Sequence, residues 1–283
     1  MKIKEPVVAN NFINSHLFAF VMQKTRKILI RKEKREFIKD LDKEVVVKKG
    51  RIYFVDDLSK DYHSSEGIFS IKDLKKKDGS LIKTNKKDEF TLISADFMDT
   101  YRRIGRLSQM IPLKDIGHIL AITGINQESK VVDAGAGSGG LACFLAHLCK
   151  EVVTYEINDE NFALVKKNIE FLNLENLKVK NKNIFDGIDE KNVDLVTLDI
   201  QNPWDALAVV DKSLKIGGYL VSYSPQITQA ADFINTLSKH DSFIHIKTVE
   251  ILEREWSFKG RIVKPKGFAI DHSGFLSFVR KIK

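Results

Sequence analysis

Val131-Val132-Asp133-Ala134-Gly135-Ala136-Gly137-Ser138-Gly139 decides the fold: an apolar run closes on an acid and passes into three glycines at every second position. Glycine there lets a strand end turn tightly into a helix and lets the backbone approach a ligand closely, where a Cβ would stand in the way. A second apolar run, Val152-Val153-Thr154-Tyr155, ends in Glu156, 23 residues after Asp133. An acid at the tip of the next strand is placed to accept hydrogen bonds from both hydroxyls of a ribose.

The loop is D-x-G-x-G-x-G, not the dinucleotide G-x-G-x-x-G, and its carboxylate would repel a pyrophosphate. Asp133 therefore reads as orienting the loop or the charged amino-acid end of S-adenosylmethionine. A glycine-rich turn in an unrelated α/β domain is the plain alternative. It leaves the flanking strand, the helix and the distant acid without a common reason.

Outward from the loop, strands and helices alternate. Strands are expected at Val131–Ala134, Val152–Ile157, Leu177–Ile184, Val193–Ile200 and Gly218–Ser224, with helices at Gly139–Cys149, Asp159–Leu172, Pro203–Leu214 and Ile227–Lys239. This predicts a parallel sheet with helices on both faces. Phe243–Leu252 and Phe268–Arg280, with no long helix between them, should pair antiparallel and complete a seven-stranded sheet. Before the loop, residues 96–122 read as linker helices broken at Pro112, and the first 95 residues as a small, barrel-like β domain of short apolar pulses. Residues 96–283 then form the catalytic domain.

Charge divides the chain similarly. Of a net +8, residues 1–110 hold 25 Lys and Arg against 16 Asp and Glu, and residues 111–283 hold 21 against 22. The basic segment points to a polyanion partner, with a solvated Lys-rich face as the alternative. Cys143 and Cys149, six apart in one expected helix, exclude a disulfide scaffold and a structural zinc site and read as packing residues. No run of 18 apolar residues occurs and the first residues lack a signal peptide's apolar core, so a soluble, cytoplasmic protein without membrane contact is expected.

In such a sheet, ligands lie beyond the carboxyl ends of the strands, where Asp133, Glu156, Asn183 and Asp199 collect. Asn183 could accept from an adenine 6-amino group or form an ordinary asparagine turn. Asp199 heads Ile200-Gln201-Asn202-Pro203-Trp204. An acid for an exocyclic amine, a proline-stiffened turn and an aromatic plane suit a flat base; the alternative is a helix-capping Asp199 with Trp204 in the core. His272 has a metal or acid/base reading, but alone in a hairpin it reads as structural.

From about Tyr62 onward the chain resembles the single-subunit transfer RNA adenine-N1 methyltransferases that modify the T-loop at positions 57 and 58 in bacteria and archaea. The resemblance rests on Tyr62-His63 to Gly67-Ile68, Arg106–Gly117 with Gln109, the glycine loop, Tyr155-Glu156, Asp199 with Pro203-Trp204, Tyr223-Ser224-Pro225 with Gln229, Arg254-Glu255-Trp256 and His272-Ser273-Gly274-Phe275-Leu276. It implies a Rossmann-like methyltransferase domain, S-adenosylmethionine held by Gln109, Asp133, Gly135, Gly137, Ser138, Gly139, Glu156, Asn183 and Asp199, and a target adenine met by Asp199 beside Tyr223. It also implies a tRNA substrate and a homotetramer. The family has aspartate where Asn183 stands, Y-P where Pro112-Leu113 stands, and D-x-P-x-P-W where this chain runs Asp199 to Trp204. Methylation of an exocyclic amine in other RNA or DNA, and a non-catalytic RNA-binding scaffold, are the competing readings.

Overall fold

The computed structural model describes residues 26–259, 261–267 and 272–283. The start of the expected first domain, residues 1–25, and residues 268–271 of the expected last strand lie outside them. Lys27–Arg31 pairs antiparallel with Arg51–Val55 on one side and Glu89–Ser94 on the other, and Leu81–Lys83 extends this sheet to four strands. Leu29, Val55, Phe69, Leu74, Ile82, Phe90 and Leu92 form its core.

The barrel expectation is corrected: among the described residues this sheet is open. Lys34–Ile38 and Lys43–Lys48 pair only with each other and are mostly exposed, so they offer no apolar face to close over. Lys34-Arg35-Glu36 carries charge instead of an apolar pulse, which hides that strand from sequence inspection. Within this unit Ile71 begins a short helix, Ile71–Leu74, because the Ser70 hydroxyl accepts the Asp73 N–H.

The linker also departs from expectation. Helix Phe97–Tyr101 has a capping box between Asp96 and Asp99, but residues 102–112 are not helical. Their backbone is held by later segments of the chain: Gly105 N–H and C=O bond the side chain of buried Asn168, and Leu107 N and Ser108 N donate to Ser138 Oγ. A helical ladder would have to surrender those bonds. Arg103 lies over the Phe54 ring and donates to both carboxylate oxygens of Asp56, at 2.5 and 3.0 Å, tying this loop to the first sheet.

The second sheet consists of β1 (Lys130–Ala134), β2 (Glu151–Glu156), β3 (Leu177–Asn181), β4 (Val193–Leu198), β5 (Leu214–Ser224), β6 (Phe243–Glu250) and β7 (Phe275–Lys281). Its order is β3-β2-β1-β4-β5-β7-β6, parallel except for β7, which runs antiparallel to both neighbours. Helices α1 (Leu113–Thr123), α2 (Gly140–Leu148), α3 (Asp159–Leu172), α4 (Leu207–Ser213) and α5 (Ile227–Leu237) cover it, giving one apolar cluster on each face. Cys143 and Cys149 pack in the first cluster as free thiols, pushed up by burial to about 12 and 11. Between β6 and β7 stands a hairpin, Trp256–Lys259 with Ile262–Pro265, that the sequence reading did not anticipate. No helix among the described residues is long and apolar enough to cross a membrane.

Candidate active site

Strand register builds the centre of the site. Thr154 on β2 and Thr197 on β4 both stand opposite Asp133 on β1, and each hydroxyl donates to one of its carboxylate oxygens at 2.7 Å. Asp133 is buried and this burial raises its pKa, which the two hydroxyl bonds oppose. It is not on the cavity wall. It bolts three strand ends together beneath the glycine loop.

Gly135, Gly137 and Gly139 all have positive φ, at 84°, 53° and 79°. Gly135 has a second requirement: a Cβ there would lie 1.9 Å from the Asp199 carbonyl oxygen. The loop and the β4 exit therefore touch backbone to backbone, with Asp199 N donating to Ala134 O at 2.9 Å.

Glu156 closes β2 and accepts from Gly137 N at 2.7 Å through one oxygen and from Asn158 N at 2.9 Å through the other. Asn158 in turn caps α3 by accepting from Asn161 N. One carboxylate thus joins the glycine loop to the start of α3. Ser138 lies behind this wall, its hydroxyl engaged by residues 107 and 108, and Asn168 Nδ2 donates to Ser138 O at 2.8 Å.

These elements surround a cavity of about 430 Å³, the size of a small-ligand site. Gln109, Gly135, Gly137, Glu156, Asn183 and Asp199 line it, so the structure gathers six of the expected residues. Asp133, Ser138, Gly139 and Tyr223 are not on its wall. Gly139 starts α2 against the Val165 side chain. Tyr223 is buried and donates to Ser273 O at 2.5 Å, and its ring fills the space a Cβ on Gly274 would need. Trp204 packs against the apolar cluster of β4 and β5 and not at the cavity, so the expected stacking plane is corrected. Asn183 forms the asparagine turn, accepting from Phe185 N at 3.0 Å while its residue borders the cavity.

Sequence inspection missed Ile157, Asn161, Lys182 and Phe185 on the wall. Ile157 was visible as the residue after the strand-end acid. Phe185 sits inside the 3-10 turn Ile184–Asp186 and carried no signal.

Asp199 is chemically set apart. Burial, with a smaller contribution from the Asp133 charge, pushes its carboxyl up to about 7. Among the described residues, no donor meets its carboxylate oxygens. It caps no helix; Asn202 holds that place before Pro203.

A polar network braces the far side. Lys114 Nζ, on α1, donates to Asp115, to Ile251 O at 2.7 Å and to Ser273 Oγ, which donates to Asp115 Oδ2 at 2.6 Å. His272 Nε2 donates to Pro225 O, and its Nδ1 lies 2.6 Å from Glu250 Oε1; chiefly that Glu250 bond holds its pKa above the usual value. His272 therefore ties the ends of β5 and β6 together, and no metal-holding cluster occurs among the described residues.

Known proteins share this architecture. A structure of a S-adenosylmethionine-dependent O-methyltransferase from Thermotoga maritima superposes with TM-score 0.73 at 23% identity, over 93% of this chain and 95% of that one. The tRNA (m1A58) methyltransferase TrmI of Aquifex aeolicus gives 0.70 at 23% identity, over 92% and 98%. Both likenesses show the fold. In sequence, the chain is 30% identical to the tRNA (adenine(57)-N(1)/adenine(58)-N(1))-methyltransferase TrmI of Methanocaldococcus jannaschii, over 76% of this chain and 86% of the relative. Residues 103–280, well over half of the chain, with all of the cavity and all but the last residue of the sheet just described, match the family of the tRNA methyltransferase complex GCD14 subunit, and the chain belongs to that family.

Proposed function

We propose that this chain transfers a methyl group from S-adenosylmethionine to N1 of a T-loop adenine in tRNA, at position 58 with 57 as the neighbouring candidate. One observation carries the reading: Glu156 and Asp199 line the same cavity with the glycine loop, and of the two carboxyls that of Asp199 meets no donor among the described residues. The residues fit the cofactor. Glu156 retains lone pairs for ribose hydroxyls, exposed Ile157 and Phe185 offer apolar surface to a flat ring, and Gln109, Asn161 and Asn183 supply amides. Gly135 and Gly137 let the backbone come close, while Asp133, Ser138 and Gly139 hold the loop from behind.

Bound S-adenosylmethionine supplies an electrophilic methyl group. Adenine N1 presents an in-plane lone pair, so no base need remove a proton before attack; the protein must extrude the base and align it. Asp199 accepts a hydrogen bond from the 6-amino group and stabilises the positive charge that grows on the ring. In a dry site such a carboxylate contributes about 3 kcal/mol. Tyr223 acts from behind, holding Ser273 at the edge of this wall.

The division into residues 1–95 and 96–283 is supported by the separate apolar cluster around Leu29 and Phe90. The basic first unit serves tRNA binding, and the setting is the cytoplasm. Homotetramer formation is supported by the edge strand β6 with exposed Ile244 and Ile246, and by the adjacent hairpin with exposed Trp256, Phe258 and Ile262. Incubation with labelled S-adenosylmethionine and unmodified tRNA, then digestion to nucleosides, should yield 1-methyladenosine. Recovery of N6-methyladenosine instead would move the reaction to the exocyclic amine, and cofactor binding without any methylated RNA would favour the scaffold reading.

A further inference from the structure

The turn that carries Asp199 has little holding it from within. Residues 200–202 line the cavity, contain no proline, and lead into Pro203 only at the 3-10 turn Pro203–Ala206. Where the resembling family has proline, this chain has Gln201. Two restraints hold the turn from outside. From one side Gly135 lies so close to the Asp199 carbonyl that any side chain would displace it. From the other, Gln229 in the first turn of α5 donates its amide to Ile200 O at 3.1 Å and to Gln201 O at 2.6 Å. One NH2 group thus satisfies two consecutive carbonyls, a task that only a donor with two hydrogens and this reach can perform.

We infer that Gln229 is a positioning residue for the methyl transfer: its amide clamps the two carbonyls after Asp199 and holds the Asp199 carboxyl where the base must meet it. This inference rests on the proposed reaction. The Gln229 amide bonds run to Ile200 and Gln201 and not to the glycine loop or Glu156, so the clamp serves the base side of the cavity and leaves the ribose side alone. A misplacement of about 1 Å at a reacting group lowers turnover by about a hundredfold.

The test compares Gln229→Leu and Gln229→Glu with the unaltered protein. Gln229→Leu should lower kcat by about 10- to 100-fold, while the S-adenosylmethionine Kd, measured by calorimetry without RNA, changes less than about threefold. Gln229→Glu should be worse, because its carboxylate would face two carbonyl oxygens. Adding Gln201→Pro to Gln229→Leu should restore part of the turnover by stiffening the same turn. Independently of activity, acrylamide quenching of Trp204 fluorescence in a Trp256→Phe background should rise when the clamp is removed. Unchanged turnover in both variants, or equal losses in kcat, cofactor affinity and melting temperature, would overturn the inference. If the unaltered protein methylates no tRNA, the proposed reaction fails, and Trp204 quenching with cofactor affinity still decides the clamp.

Discussion

The two walls of the cavity are built on opposite principles. On the glycine-loop side, polar groups are already partnered: Glu156 holds Gly137 N and Asn158 N, Ser138 holds the 107–108 backbone, and Asn168 makes three bonds with the loop segments. On the Asp199 side, a half-buried carboxyl has no donor among the described residues and feels the charge of buried Asp133. The first wall is finished before a ligand arrives, and the second is completed by the ligand. A preformed wall suits binding, whereas an unsatisfied charge next to the reacting ring lowers the barrier only when positive charge appears there.

Removing the incomplete wall should have the largest effect. Asp199→Ala should reduce turnover by about 10² to 10³ and leave S-adenosylmethionine affinity nearly intact; equal loss of both would erase the distinction between the walls. Next, Glu156→Ala should weaken cofactor binding by about 2 kcal/mol, roughly thirtyfold in Kd, since two backbone donors lose their acceptor. Calorimetry reads this, and kcat at saturating cofactor should change far less.

pH gives a smaller contrast, of about tenfold per unit. Asp199 must be ionised to act, so kcat/KM should fall below about pH 7, and kcat should fall at lower pH because the bound sulfonium favours the carboxylate. Stability moves the other way. The folded pKa lies above the ordinary 3.8, so the cofactor-free protein keeps this contribution in acid and loses it as pH rises toward 7. Melting curves of Asp199→Asn should lack that loss. The smallest effect belongs to Asn168→Ala, which releases residues 102–112 from the finished wall: a few-fold rise in the cofactor Kd, with a lower melting temperature from its lost buried bonds.

The finished wall was also the legible one. Alternating apolar runs, three glycines and an acid at the next strand end are local signals, and they carried the sheet, α2, α3 and the placement of Glu156. The other parts depend on contacts distant in sequence. Residues 102–112 have helical spacing, but Asn168 and Ser138 take their backbone groups, and neither residue advertises this. Trp204 has the composition of a stacking platform, yet the apolar cluster of β4 and β5 claims it. The Trp256–Lys259 hairpin hid among charged residues, and Asp133 became intelligible only when the register set Thr154 and Thr197 opposite it.

The strand order has a consequence for synthesis on the ribosome. β7 is made after β5 and β6 and inserts between them. Until β7 emerges, β6 has no neighbour to pair with, and Lys114 and Asp115 must wait for Ser273. The nascent chain can assemble β1 to β5 and the ribose side of the cavity early. The brace behind the Asp199 side forms only once Ser273 and β7 have emerged, so translation itself orders the two walls in time.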